Sequence, residues 1–208
     1  MSKDFIRHDV IRDSALKLAY KMYKEDNFIP DVIYVSLRGG VYMGNVMSEF
    51  YKLVCKNTKR RPVLYAAVVA RSRYATVPGE ETKVFVDGWT YSPDYLRYGD
   101  KVLLVDDIFD TGNTVNKLAE VIMDKGIPRE DLKIAVYDYK VPQYKYNDEF
   151  KPLPIQPDYY CRKHVLNSPA DETWIHYLCH EYVGLTNDEI DEVYKDEEVR
   201  QILHELKA

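Results

Sequence analysis

The segment Val102-Leu103-Leu104-Val105-Asp106-Asp107-Ile108-Phe109-Asp110-Thr111-Gly112-Asn113-Thr114 falls into three parts with different physical demands. Val102 to Val105 is a short apolar run with a β-branched residue at each end, a composition that suits a strand covered on both faces. Asp106 and Asp107 follow where that strand is expected to end. Asp110 to Thr114 then supplies small polar residues and one glycine, directly ahead of Val115, Leu118, Ala119 and Ile122. Their i, i+3, i+4, i+7 spacing predicts an amphipathic helix. A strand that passes through a small-residue loop into a helix presents free backbone N–H groups and the positive end of a helix dipole. That is an anion site, and phosphate is its obvious guest. The neighbouring carboxylates repel phosphate, so they call for other partners: hydroxyl groups, from which they accept, or a divalent cation.

Working outward, the upstream half repeats the strand-then-helix pattern. Val10, Ile11, Ala15, Leu18, Ala19 and Met22 share one face of a helix over residues 7–25, which Asn27 and Pro30 end. A strand over Asp31 to Ser36 leads into Leu37-Arg38-Gly39-Gly40 and a helix from about Val41 to Val54. Two consecutive glycines let the backbone approach a ligand closely, and the Arg38 guanidinium adds a fixed charge with planar donors. Pro62 to Ala70 is the next strand. Residues 71–100 are too long for an inert connection in a compact domain, and their alternation at Lys83 to Asp87 reads as a lid hairpin.

Downstream, the helix over 114–125 stops at Gly126, a good C-cap. A strand from Asp131 to Tyr139 ends at Lys140, and residues 141–157, rich in Pro, Tyr and charge, form an excursion at the sheet edge. Thr186-Asn187-Asp188-Glu189 is a capping box opening the first of two terminal helices within 186–206, and Asp196 caps the second. Alternating strands and helices predict an α/β fold with a central, mostly parallel sheet flanked by helices. The 208 residues suit one domain, 1–208.

A net charge of −5 with scattered lysines and arginines gives no electrostatic footprint for nucleic acid or an anionic membrane. No apolar run is long enough to span a bilayer, and the N-terminus MSKDFIRHDV is not a signal peptide. A soluble cytoplasmic protein is expected. Cys55, Cys161 and Cys179 are widely spaced and read as reduced thiols, with no disulfide framework or zinc site.

Residues 102–114 resemble the phosphoribosyl-pyrophosphate (PRPP) motif of type I phosphoribosyltransferases: a hydrophobic run, two acids, then D-T-G-x-T. The simplest competitor is a receiver domain, where a strand ending in Val-Asp-Asp binds magnesium. There the acids sit near the start of the domain and no phosphate loop follows. Ser36-Leu37-Arg38-Gly39-Gly40 is similar to the pyrophosphate loop of the 6-oxopurine phosphoribosyltransferases, the hypoxanthine, xanthine and guanine enzymes. Pro157 to Tyr182 resembles their hood, and the likeness as a whole covers roughly residues 30–182.

The resemblance implies purine salvage: the 5-phosphoribosyl group passes from PRPP to a 6-oxopurine base, giving a nucleoside monophosphate and pyrophosphate. It implies a lid at about 71–100 and a small hood subdomain at about 141–182. It implies Mg2+ as cofactor on Asp106, Asp107 and Glu181, the last standing where the family usually has Asp. The 5′-phosphate falls to Asp110, Thr111, Gly112, Asn113 and Thr114, and the ribose to Asp106 and Asp107. Pyrophosphate falls to Leu37, Arg38, Gly39 and Gly40, with a cis Leu37–Arg38 peptide. Lys140, Trp174 and Ile175 would bind the base, with Asp110 catalytic at the purine N7. Ser72 and Tyr74 sit near the family's lid pair, though Arg73 separates them. A homodimer or homotetramer is implied, with no nucleic-acid or membrane partner. Two alternatives remain open: a PRPP- or nucleotide-sensing regulator on the same fold, and a transferase for another base.

Overall fold

Apolar runs become strands at every place the sequence suggests, and the central ones reach further than expected. The computed structural model describes residues 2–73, 83–147 and 151–207. In chain order the elements are β1 (Ser2–Ile6), α1 (His8–Glu25), β2 (Val32–Leu37), α2 (Gly40–Asn57), β3 (Leu64–Arg73), β4 (Lys83–Trp89), β5 (Val102–Phe109), α3 (Asn113–Met123), β6 (Leu132–Pro142), β7 (Tyr159–Leu166), β8 (Thr173–Tyr177), α4 (Asn187–Val193) and α5 (Glu197–Glu205). They form two compact units, Asp9–Glu172 and Met1–His8 with Thr173–Ala208.

The larger unit carries a six-stranded sheet in the order β4-β3-β2-β5-β6-β7. Only β4 runs antiparallel to its neighbour; the other pairings are parallel. Register explains why the central strands are apolar without alternation. Val32 lies opposite Val102 and Tyr34 opposite Leu104. These four share a core with Val115, Leu118, Ala119 and Ile122 of α3. The intervening residues face the other way, where a Cβ added to Gly44 of α2 would overlap the Val35 side chain. Helices therefore cover both faces, the arrangement that all-parallel strands require.

β5 does not stop at Val105. Its pairing with β2 ends there, but pairing with β6 continues through Asp106 opposite Val136 to Phe109 opposite Tyr139. The long partner strand supplies backbone hydrogen bonds beyond the apolar run, so both acids are held in strand geometry. β6 itself runs to Pro142, which places Lys140 inside a strand. Residues 159–166, within the stretch expected to be hood, form edge strand β7 along β6. The Asp158 carboxylate fixes its start, accepting from the Ile134 amide at 2.8 Å and from Arg129 at 3.0 Å.

The hairpin expected over 71–100 has its arms in β3 and β4, which pair antiparallel from Val68 opposite Trp89 to Arg73 opposite Lys83. Ser72 lies opposite Val84 in that ladder. Its side chain, and Tyr74 altogether, fall outside the described residues.

In the smaller unit β1 pairs in parallel with β8, Ser2 opposite Thr173 through Ile6 opposite Tyr177. A strand at 2–6 is not foreshadowed by the sequence. The residues 173–182 expected in the hood thus group with the N-terminal strand and the terminal helices. Thr186 and Glu189 form the expected capping box, and Asp196 accepts from the Val199 amide at 3.1 Å. The three cysteines are free. Among the described residues no helix is long and apolar enough to cross a membrane.

Candidate active site

After β2 the chain turns to one side to make β3 and β4; after β4 it returns to the other side of β2 to make β5 and β6. The order reverses between β2 and β5. In an open α/β sheet the loops at the carboxyl ends of those two strands diverge and leave a crevice. Leu37 to Gly40 follows β2 at that crevice, and Asp106 to Thr114 lies along and after the end of β5. Lys140 stands near the end of the adjacent strand β6.

The Leu37–Arg38 peptide is cis, as the resemblance implies. Beyond it the two glycines are needed for space. A Cβ on Gly39 would collide with the Asp107 carboxylate, and one on Gly40 would strike the Val105 carbonyl. The structure thus brings the R-G-G turn directly against the acid pair, while Arg38 stays exposed.

Asp106 is buried, at 8% exposure, and Asp107 less so. The Asp107 amide donates to Asp106 Oδ1 at 3.0 Å, and the Ile108 amide to Asp107 Oδ1 at 2.8 Å. Burial first, and then the neighbouring Asp107 charge, push the Asp106 carboxyl well above its ordinary value, while a hydrogen bond with Ser36 acts the other way.

Gly112 opens α3 with φ of +79°, a left-handed conformation that glycine adopts without penalty. The Phe109 ring fills the place a Cβ would take. Asp110 and Thr111 are exposed in the turn, and Asn113 and Thr114 are partly buried in the first turn of the helix. The loop is clamped from behind by buried Asn116. Its amide nitrogen donates to the Gly112 carbonyl at 3.0 Å and to the Ile155 carbonyl at 2.8 Å, and its oxygen accepts from the Ile155 amide at 3.1 Å.

Lys140 is buried, and its Nζ lies 3.5 Å from Glu172 Oε2. Glu172 Oε1 accepts from the Tyr144 hydroxyl at 3.2 Å and lies 3.8 Å from Lys145 Nζ.

The remaining expected residues belong to the smaller unit. Trp174 is 54% exposed and Ile175 is buried. Glu181 is engaged locally: its Oε2 accepts from the Tyr177 amide at 3.0 Å and lies 3.8 Å from His176 Nδ1. Among the described residues no three His, Cys, Asp or Glu side chains gather to hold a metal. Asp106 and Asp107 form a pair instead. Two adjacent oxygen-ligand carboxylates at the end of β5, one of them set against the Gly39 turn, fit a hard divalent cation such as Mg2+.

Asn116, Lys145 and Glu172 lie outside the set of residues the sequence singles out. Asn116 carries a readable signal, an amide flush beside the apolar stripe of α3. Glu172 carries none, since nothing in its own neighbourhood points to Lys140.

A family model described as phosphoribosyl transferase domain matches residues 7–155. The bifunctional protein PyrR of Halalkalibacterium halodurans is 25% identical over 160 residues, 76% of this chain and 82% of that one. Among solved structures, purine phosphoribosyltransferase from Pyrococcus horikoshii Ot3 superposes with a TM-score of 0.61 at 19% identity, covering 89% of this chain and 99% of its own. A hypothetical protein from Neisseria gonorrhoeae with bound ppGpp gives 0.62 at 16% identity, covering 100% and 98%. At these identities the structural likeness is one of fold.

Proposed function

Because the chain belongs to the phosphoribosyl transferase domain family, we propose that it moves the 5-phosphoribosyl group of PRPP onto a 6-oxopurine. The products are a nucleoside 5′-monophosphate and pyrophosphate. One observation carries this reading: the Arg38-Gly39-Gly40 turn is packed against Asp107 at the switch point of the sheet, beside the D-T-G-N-T loop.

The amides of the loop Thr111-Gly112-Asn113-Thr114 and the N-terminus of α3 hold the 5′-phosphate. Asp106 and Asp107 accept from the ribose hydroxyls. The Gly39-Gly40 backbone and the Arg38 guanidinium hold the pyrophosphate, and Arg38 stabilises the charge that develops as the bond to the sugar breaks. Asp106 and Asp107 would also hold Mg2+, which when bound supplies further charge neutralisation at the leaving group. Positive charge grows on the sugar carbon as pyrophosphate departs, and the two carboxylates provide a favourable field there. Asp110 takes or holds the proton at purine N7, a general-base role. Lys140, which donates and cannot accept, binds the 6-oxo oxygen.

The test is pyrophosphate release from PRPP, with and without Mg2+, against hypoxanthine, guanine, xanthine, adenine, orotate and uracil. Release with the first three supports the reading. Release with none of the bases refutes it. A second reading, a PRPP- or nucleotide-sensing regulator, draws support from the match to the bifunctional protein PyrR and from the ppGpp-bound protein of the same fold. It requires a response to a nucleotide in place of turnover.

A further inference from the structure

Lys140 and Glu172 stand side by side in an unusual way. A buried ammonium needs a counter-charge, and a closed charge-assisted pair normally sits at about 2.7–2.9 Å. Here Nζ and Oε2 are 3.5 Å apart. The other carboxylate oxygen is held by Tyr144 and Lys145, which turns Oε2 toward Lys140. The result is an obligate donor next to an obligate acceptor, both near the carboxyl end of β6.

We propose that Glu172 is a specificity-determining residue and that Lys140 and Glu172 together read a lactam edge, the adjacent C=O and N–H of an oxo base. This rests on the transferase reading above and deepens it. Lys140 donates to the exocyclic carbonyl oxygen O6, and Glu172 Oε2 accepts from N1–H on the neighbouring ring atom. Hypoxanthine, guanine and xanthine share that edge. Adenine presents the reverse, an amino donor and a ring-nitrogen acceptor, which sets donor against Lys140 and acceptor against Glu172. A site built to hydrogen-bond a substrate group rejects analogues lacking it by about 10⁴–10⁵-fold, because its own buried polar groups are left unpaired.

The experiment compares kcat/KM for hypoxanthine and 1-methylhypoxanthine in the wild-type protein and in Glu172→Gln. The methyl group removes only the N1–H and leaves O6 in place. The wild type is expected to prefer hypoxanthine by at least about 10³-fold. Glu172→Gln keeps the shape, so the steric penalty on the methyl group is unchanged. Replacing a charged acceptor by a neutral one should shrink the ratio about tenfold, because only hypoxanthine loses the bond from N1–H while the lost counter-charge to Lys140 weakens both bases alike. If Glu172 serves only as counter-ion to Lys140, both bases lose equally and the ratio stays constant, which overturns the inference. Equal use of the two bases by the wild type overturns it as well, even if the variant does not fold. Wild-type protein that releases no pyrophosphate with any base instead removes the transferase reading itself.

Discussion

At the scale of single residues, the acid pair sets function against stability. Burial and the Asp107 charge both act against an ionised Asp106, so its carboxyl titrates above the ordinary 3.8. A raised folded value means the folded state holds the proton more tightly than the unfolded chain. The associated stability is full below the ordinary value and is lost as pH rises through the folded one. Asp106→Asn should therefore melt higher than wild type at pH 7, with the gap closing towards pH 4, while PRPP binding is lost. A thermal melt series across that range checks the sign. Asp110→Asn should cut turnover by about 10²–10⁴-fold and leave PRPP affinity intact; equal turnover would remove the base assignment. Gly40→Ala drives a methyl group into the Val105 backbone, which cannot yield as a side chain can. A loss of about 1–3 kcal/mol in urea unfolding is expected.

Elements are tied together by a few buried polar side chains, and Asn116 shows what such a tie does. It joins the start of α3 to residue 155, far along the chain, and so fixes the D-T-G-N-T loop from behind. Asn116→Ala would leave the Ile155 amide and carbonyl short of the side-chain partner, while the Gly112 carbonyl keeps the Asn116 backbone amide. The expected loss is about 1–3 kcal/mol, or more if both contacts go unreplaced. For a chain of this size that is a fall of roughly 2–4 °C in Tm per kcal/mol. Weakened PRPP binding should accompany it, read by calorimetry, because the loop loses its support. Helix ends behave differently. The capping box at Thr186 and Glu189 satisfies α4 from within its own first turn, and a four-residue pattern suffices to announce it.

Across the whole molecule, the charge balance bears on which of the two functional readings holds. With a net charge of −5, retention of RNA or DNA at physiological salt is not expected. A mobility-shift titration at several salt concentrations checks this. Tight binding that falls steeply with salt would turn the argument toward the regulator.

Much of the site is legible in the amino-acid order alone, because its parts are local. The D-T-G-N-T loop, the paired acids and the R-G-G turn are each contiguous, and each follows an apolar strand whose composition reveals it. Their residue types fix what they can do: small residues expose amides, and adjacent carboxylates seek hydroxyls or a cation. Other features depend on partners far away in the chain. β5 runs past its apolar core because β6 is long enough to pair with it. β1 exists because β8 lies beside it. Gly39 must be glycine because Asp107 occupies the space above it, and Glu172 matters because it lies against Lys140. Propensity and periodicity report on neighbours within a turn or two. Pairing and burial between remote segments are set by register and packing, which only the folded chain possesses.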